Sequence, residues 1–97
     1  MSLIENLNKA FESRVRLGIM AALLVEEGLD FNALKALLEV TDGNLASHLR
    51  ALEEAKYVDT QKAFIGRKPN TRYTITNEGR IAFQAHLKAL EKLLGPN

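Results

Sequence analysis

The 97-residue sequence predicts a mainly α fold with one small β-hairpin, in the order helix, helix, helix, turn, helix, strand, strand, helix. Three observations predict it. Apolar residues recur at three- and four-residue spacing in five stretches, opened near Ser2, Ser13, Asp30, Asp42 and Thr76, residue types that cap helices. The third and fourth stretches nearly abut across Thr41, Asp42 and Gly43, a run of turn formers. Between Tyr57 and Ile75, β-branched and aromatic residues flank a cluster of Gly66, Pro69 and Asn70.

Leu3, Leu7, Ala10 and Phe11 follow Ser2, with Glu5 three residues on from it, so a short amphipathic helix with a capping box is expected first. The second helix, Ser13 to Glu27, carries Val15, Leu17, Ile19, Met20, Leu23, Leu24 and Val25 and keeps almost no polar face, which places it in the core. Gly28 ends it and Asp30 caps the third, whose stripe is Phe31, Leu34, Leu37 and Leu38. In the fourth, capped by the Asp42 carboxylate, Leu45, Leu49 and Leu52 share one narrow arc at 100° per residue. Gly43, Ser47, Arg50, Ala51 and Glu54 fall opposite, with Asn44 and His48 on the flank. That outer face is small or hydrogen-bonding near its N-terminal end, as a helix must be if it is to enter a groove and read base edges.

Strands are expected over Tyr57–Phe64 and Thr71–Ile75, joined by a loop holding Gly66, Pro69 and Asn70. Thr76 caps a last helix that runs to about Leu94 and is closed by Gly95 and Pro96. It bears two apolar stripes, Phe83, Leu87, Leu90 and Leu94 on one side and Ile81, Ala82, Ala85, Ala89 and Leu93 on another, and two stripes imply two packing partners.

Length allows one domain, spanning residues 1–97. Hydrophobic residues are 46% and charged residues 26% of the chain, which suggests neither disorder nor membrane residence. The chain contains no cysteine, so disulfides, thiolate metal sites and cysteine nucleophiles are excluded and a cytoplasmic protein is expected. The N-terminal stretch carries Glu5 and Glu12 and has no continuous apolar run of the kind a secretory signal needs, and the longest apolar run, Ile19 to Val25, is too short to cross a bilayer.

Formal net charge is only +1, yet Lys56, Lys62, Arg67, Lys68 and Arg72 lie within Lys56–Tyr73 beside a single acid, Asp59. A helix-turn-helix followed by a basic hairpin and a terminal helix is the element order of a winged helix. The stretches "LDFNALKALLEVTDGNLASHLRALEEAKYV" and "FIGRKPNTRYTITNEG" resemble the small winged helix-turn-helix transcriptional regulators related to the MarR and ArsR groups, across nearly the whole chain. Lys56 stands where that family often has Gly, and without cysteine the thiolate metal-sensing motif of many ArsR members has no counterpart here.

The resemblance implies sequence-specific binding of double-stranded DNA by a homodimer that regulates transcription. On the residues, Asn44, Ser47, His48 and Arg50 are assigned to the major-groove helix, Arg50 reaching either bases or phosphates. Lys62, Arg67, Lys68 and Arg72 are assigned to the phosphate backbone or minor groove, where neutralised phosphates release counterions and so supply affinity. The dimer is expected to form through the first and last helices, by Leu3, Leu7, Phe11, Phe83, Leu87, Leu90 and Leu94, setting two recognition helices about 34 Å apart. The sequence shows no obvious effector pocket, although a cleft between those helices could hold a small ligand.

Other chemistries find little support. His48 and His86 lie far apart on different helices, so no metal site is expected, and no cofactor is called for. Glu53 and Glu54 are adjacent and diverge by about 100°, and Ser47 with His48 lacks a third group to orient the base, so an enzyme is not expected. The alternative to a DNA-binding protein is a winged-helix protein-interaction module, and the cationic hairpin is the feature that separates the two.

Overall fold

The computed structural model describes Ser2 and residues 4–95, and in it the predicted helical majority and the hairpin both appear. A single 3-10 turn, Lys9–Phe11, leads into α1 (Arg14–Val25). A two-residue strand β1 (Leu29–Asp30) precedes α2 (Phe31–Leu38) and α3 (Asp42–Glu54). Strands β2 (Val58–Ile65) and β3 (Lys68–Ile75) follow, and α4 (Asn77–Leu94) closes the fold. The antiparallel sheet has the order β1-β3-β2. Among the described residues no helix is long and apolar enough to cross a membrane.

Capping chemistry sets most helix starts where the sequence places them. Ser13 accepts the Arg16 N–H at 3.3 Å, Asp30 that of Ala33 at 2.7 Å and Thr76 that of Gly79 at 2.8 Å, each satisfying a donor with no partner inside its helix. At α3 the cap is Thr41 rather than Asp42: the Thr41 hydroxyl accepts the Asn44 N–H at 3.2 Å. Asp42 is instead the first helical residue and pairs with Lys35 of α2 at 2.8 Å, its charge still favourable at the positive end of α3. The turn between the two helices is therefore Glu39 to Thr41, with Glu39 in the left-handed region at φ 53°.

The predicted first helix does not form. Asn8 is extended, at φ −99° and ψ 121°, and its N–H goes to Nδ1 of His86 at 3.0 Å instead of to a carbonyl one turn back. Its side chain accepts from Ala10 N at 2.9 Å and donates to the Tyr57 hydroxyl at 3.1 Å, so the segment crosses α4 as a strap. Ser2 likewise bonds Ile4 N rather than opening a capping box. His86 is 4% exposed, and burial pushes its imidazole below the ordinary histidine range, against the smaller opposing pull of the Glu12 carboxylate.

The core joins Ile19, Met20 and Leu23 of α1, Leu34 of α2, Leu45, Leu49 and Leu52 of α3, Val58 and Tyr73 of the sheet, and Phe83 of α4. Removing each α3 leucine from water contributes about 1.5–3 kcal/mol, which fixes the rotation of that helix and hence which side faces out. Phe11 closes the core from the strap: its ring lies 5.2 Å from Phe83, edge to face, and 5.3 Å from Tyr57.

Candidate nucleic-acid interface

With Leu45, Leu49 and Leu52 turned inward, Asn44, Ser47 and Arg50 lie exposed on the outer side of α3, and His48 is half-buried on its flank. Gly43, in the first turn, has nothing within 4 Å of where a Cβ would sit. A glycine there costs helix stability and relieves no crowding. What it leaves is a low, smooth surface beside the exposed Asn44.

The helix ends in a Schellman motif, Tyr57 N bonding Leu52 O at 3.0 Å and Lys56 N bonding Glu53 O at 2.9 Å. Lys56 takes the left-handed residue of that motif at φ 66°, so the turn usually made by glycine is made here by lysine. Its carbonyl accepts the Thr76 hydroxyl at 2.8 Å, which ties the end of α3 to the start of α4. From that junction the hairpin departs, with Val58 paired to Ile75 and Tyr73 to Thr60 at its base.

The connection at the tip is shorter than the sequence suggests. Gly66 and Arg67 alone join the strands, Gly66 at φ 65°, while Pro69 and Asn70 belong to β3, opposite Phe64 and Ala63. Pro69 is tolerated because β1 reaches only Tyr73 and Arg72, leaving the outer part of β3 without a neighbour on that side to need its missing N–H. Lys62, Arg67, Lys68 and Arg72 are all exposed. Among the described residues the one ion pair within 4 Å is Lys35 with Asp42, so none of these four cations is held in an ion pair there, although the charge of Arg72 is felt by the Asp30 carboxylate.

They do not form one cluster. Arg67 and Lys68 sit at the tip, whereas Arg72 lies opposite Asp30 and Gln61, about 14 Å beyond Lys68 along the strand at roughly 3.4 Å per residue. There its guanidinium covers Gly28, where a Cβ would come within 2.5 Å of Nε. Asp30 receives Asn70 Nδ2 at 3.3 Å, a contact between the wing and the cap of α2 that sequence reasoning missed because its partners lie 40 residues apart.

Two residues assigned to a dimer surface belong to the protomer's own interior: Phe11 is 0% and Phe83 2% exposed, held by each other and by Tyr57. Leu3 lies outside the described residues. Leu7, Leu87 and Leu90 are half-buried, and Leu94 is exposed. Exposed apolar surface on the same two segments also comes from Ile4, Ile81 and Leu93. Between strap and helix, Asn6, Ala85, Lys88, Ala89 and Lys92 line a groove of about 250 Å³. Among the described residues no group of three or more His, Asp or Glu is placed to hold a metal ion.

A helix-turn-helix with a polar outer face, a cationic hairpin and a terminal helix define a winged helix. The chain belongs to the winged helix DNA-binding domain family, whose model matches residues 15–94. It is 44% identical over 85 residues to the uncharacterized protein MJ0432 of Methanocaldococcus jannaschii, an overlap of 88% of this chain and 92% of that one. A transcriptional regulator homologue from Pyrococcus horikoshii superposes with a TM-score of 0.84 at 33% identity, covering 95% of this chain and 89% of that chain. MepR of S. aureus, solved as a DNA complex, superposes with a TM-score of 0.76 over 95% of this chain and 75% of that chain, and at 16% identity the likeness speaks for the fold alone. The resemblance to winged helix-turn-helix regulators read from the sequence is borne out, and family and fold are those of DNA-binding regulators, which are not enzymes.

Proposed function

We propose that these 97 residues form a single domain that acts as a homodimeric, cytoplasmic transcriptional regulator and not as an enzyme. Each protomer lays α3 in the major groove through Asn44, Ser47, His48 and Arg50, and sets its wing on the backbone or minor groove through Lys62, Arg67 and Lys68, with Arg72 at the wing's base. The observation that carries this reading is the pairing of an outward polar α3 face with the wing cations Lys62, Arg67 and Lys68, which make no ion pair within 4 Å among the described residues. Free cations at that density release counterions when they meet phosphates.

The strap and α4 supply the dimer contact through Leu7, Leu87, Leu90 and Leu94, extended by Ile4, Ile81 and Leu93, whose apolar surface is otherwise left in water. Pairing two modest DNA surfaces raises affinity through effective concentration, and a two-fold axis calls for an inverted repeat with half-sites about 34 Å apart. The groove rimmed by Lys88 and Lys92 is the place for a small anionic effector. Selection of bound duplexes from a random pool tests the whole reading. An enriched inverted repeat is the expected result, whereas no enrichment at low salt would make the domain a protein-docking module.

A further inference from the structure

The wing ends in hydrophobic residues. Phe64 is 74% and Ile65 67% exposed, the last two residues of β2 before the turn at Gly66 and Arg67. Strand alternation sends them to opposite faces, Phe64 alongside its cross-strand partner Pro69 and Ile65 alongside Lys68. The tip is thus apolar on both sides. Nearer the base, the Phe64 face turns into the core, where Val58 and Tyr73 are buried; at the tip nothing covers it.

This end of the hairpin is also regularly paired. A two-residue connection closes a ladder paired without interruption from Val58–Ile75 to Ile65–Lys68, and Pro69 has a fixed φ beside Phe64. Asn70, just behind, is tied to Asp30. Charge at the tip has one sign: no carboxylate occurs between Asp59 and Glu78, while Lys62, Arg67 and Lys68 surround the apolar pair. An anionic membrane surface would also suit cations beside hydrophobes, but the chain belongs to a DNA-binding domain family, which favours a duplex as the partner. The cations on both sides of them match the two phosphate walls of a minor groove, and Phe, Ile and Pro are among the residues that architectural proteins insert between base steps.

We propose that the wing tip is an apolar wedge for the minor groove. Phe64, backed by Pro69, partly unstacks one base step, Ile65 lies against the groove from the opposite face of the hairpin, Arg67 and Lys68 hold the phosphates on either side, and the duplex bends toward its major groove. The bend selects easily deformed pyrimidine–purine steps at the position beneath the wing, a source of specificity that needs no base-edge hydrogen bond. This inference rests on the DNA-binding reading above and adds to it a residue class and a deformation.

The probe is a duplex of about 60 base pairs carrying the selected site, with dyes at both ends for energy transfer and 2-aminopurine at the step under the wing. Wild-type protein is expected to bend it by about 20–90° and to raise 2-aminopurine emission. The double substitution Phe64→Ala with Ile65→Ala is expected to halve the bend or more, suppress the emission change and weaken binding about tenfold, the scale on which base stacking acts. Its salt dependence and thermal melting should match the wild type, because both side chains are uncharged and both stand outside the core. Tight binding of a straight duplex, or an unchanged bend in the double variant, overturns the wedge and leaves the DNA-binding reading intact. Failure of the wild type to bind any duplex overturns both.

Discussion

Asn70 on the wing donates to the carboxylate of Asp30 at the head of α2, Nδ2 to Oδ2 at 3.3 Å, while Oδ1 of the same carboxylate accepts the Ala33 N–H at 2.7 Å. One side chain therefore caps the first helix of the helix-turn-helix and holds the hairpin. The Ala33 amide first, then the Asn70 amide and the charge of Arg72, keep the Asp30 carboxyl below the ordinary aspartate range, with slight burial opposing them. The wing is positioned by the element that precedes the recognition helix.

Separating the two roles of Asp30 is straightforward. Asp30→Ala should lower stability by about 1 kcal/mol through loss of the cap, measured by urea denaturation, and Asn70→Ala should lower it by less. Because the folded pKa lies below the unfolded value of about 3.9, the Asp30 contribution is complete above that pH and disappears as the pH falls through the folded value. Asp30→Asn, which keeps a cap but removes the charge, should flatten the acid limb of the stability curve. Both alanine variants should speed amide hydrogen exchange in Phe64–Asn70 if the tether holds the wing.

His86 gives a second pH dependence. Its Nδ1 must be unprotonated to accept the Asn8 N–H, and burial lowers its pKa in the folded state. Stability is then at its full value above about pH 6.5 and is lost as the pH falls from there through the folded pKa, because the unfolded chain takes up the proton first. His86→Leu should abolish this dependence and leave Asn8 N–H without its acceptor, at a cost of about 1–3 kcal/mol. A melting profile between about pH 7 and pH 5 that is equally steep in the variant would show that another group is responsible.

Helices α1, α2, α3 and α4 were legible in the sequence because their signals are local: the caps at Ser13, Asp30 and Thr76 and the Leu45, Leu49, Leu52 arc need only near neighbours. The missing first helix was illegible because the bond that replaces it joins Asn8 to His86 across 78 residues. Thr41 and Asp42 were both competent caps, and Lys35, on the preceding helix, engages the second. Pro69 reads as loop in any local analysis; only the short reach of β1 leaves room for it in a strand. Phe11 and Phe83 carry the periodicity of a surface stripe, and nothing in that periodicity says that the two rings meet edge to face in the core. The recognition-helix face was legible as an exposed polar surface, whereas the displacement of Arg72 from the tip depends on strand register.

The junction beneath the wing predicts opposite effects for two substitutions. Lys56 occupies the left-handed position that glycine fills without steric penalty, so Lys56→Gly should raise stability by about 1 kcal/mol by thermal or urea denaturation. Gly79 is packed so that a Cβ would strike the Tyr57 carbonyl oxygen, which also accepts Thr76 N at 3.0 Å. Gly79→Ala should therefore destabilise by about 1–3 kcal/mol, toward the upper end because the atom struck is backbone.

The first turn of α3 offers the sharpest contrast between folding and function. Since a Cβ on Gly43 would meet only open space, Gly43→Ala should stabilise the free protein by up to about 1 kcal/mol. If that turn lies against DNA, the same methyl group occupies the space a phosphate or sugar needs, and binding to the selected duplex should weaken as the protein becomes more stable. Arg67→Ala with Lys68→Ala provides the complementary case: stability unchanged, and the log–log salt slope of binding flattened by about 0.9 for each phosphate no longer neutralised. A Gly43→Ala protein that is more stable and binds duplex as tightly as the wild type would place the first turn of α3 away from the DNA, and the assignment of Asn44 would fall with it.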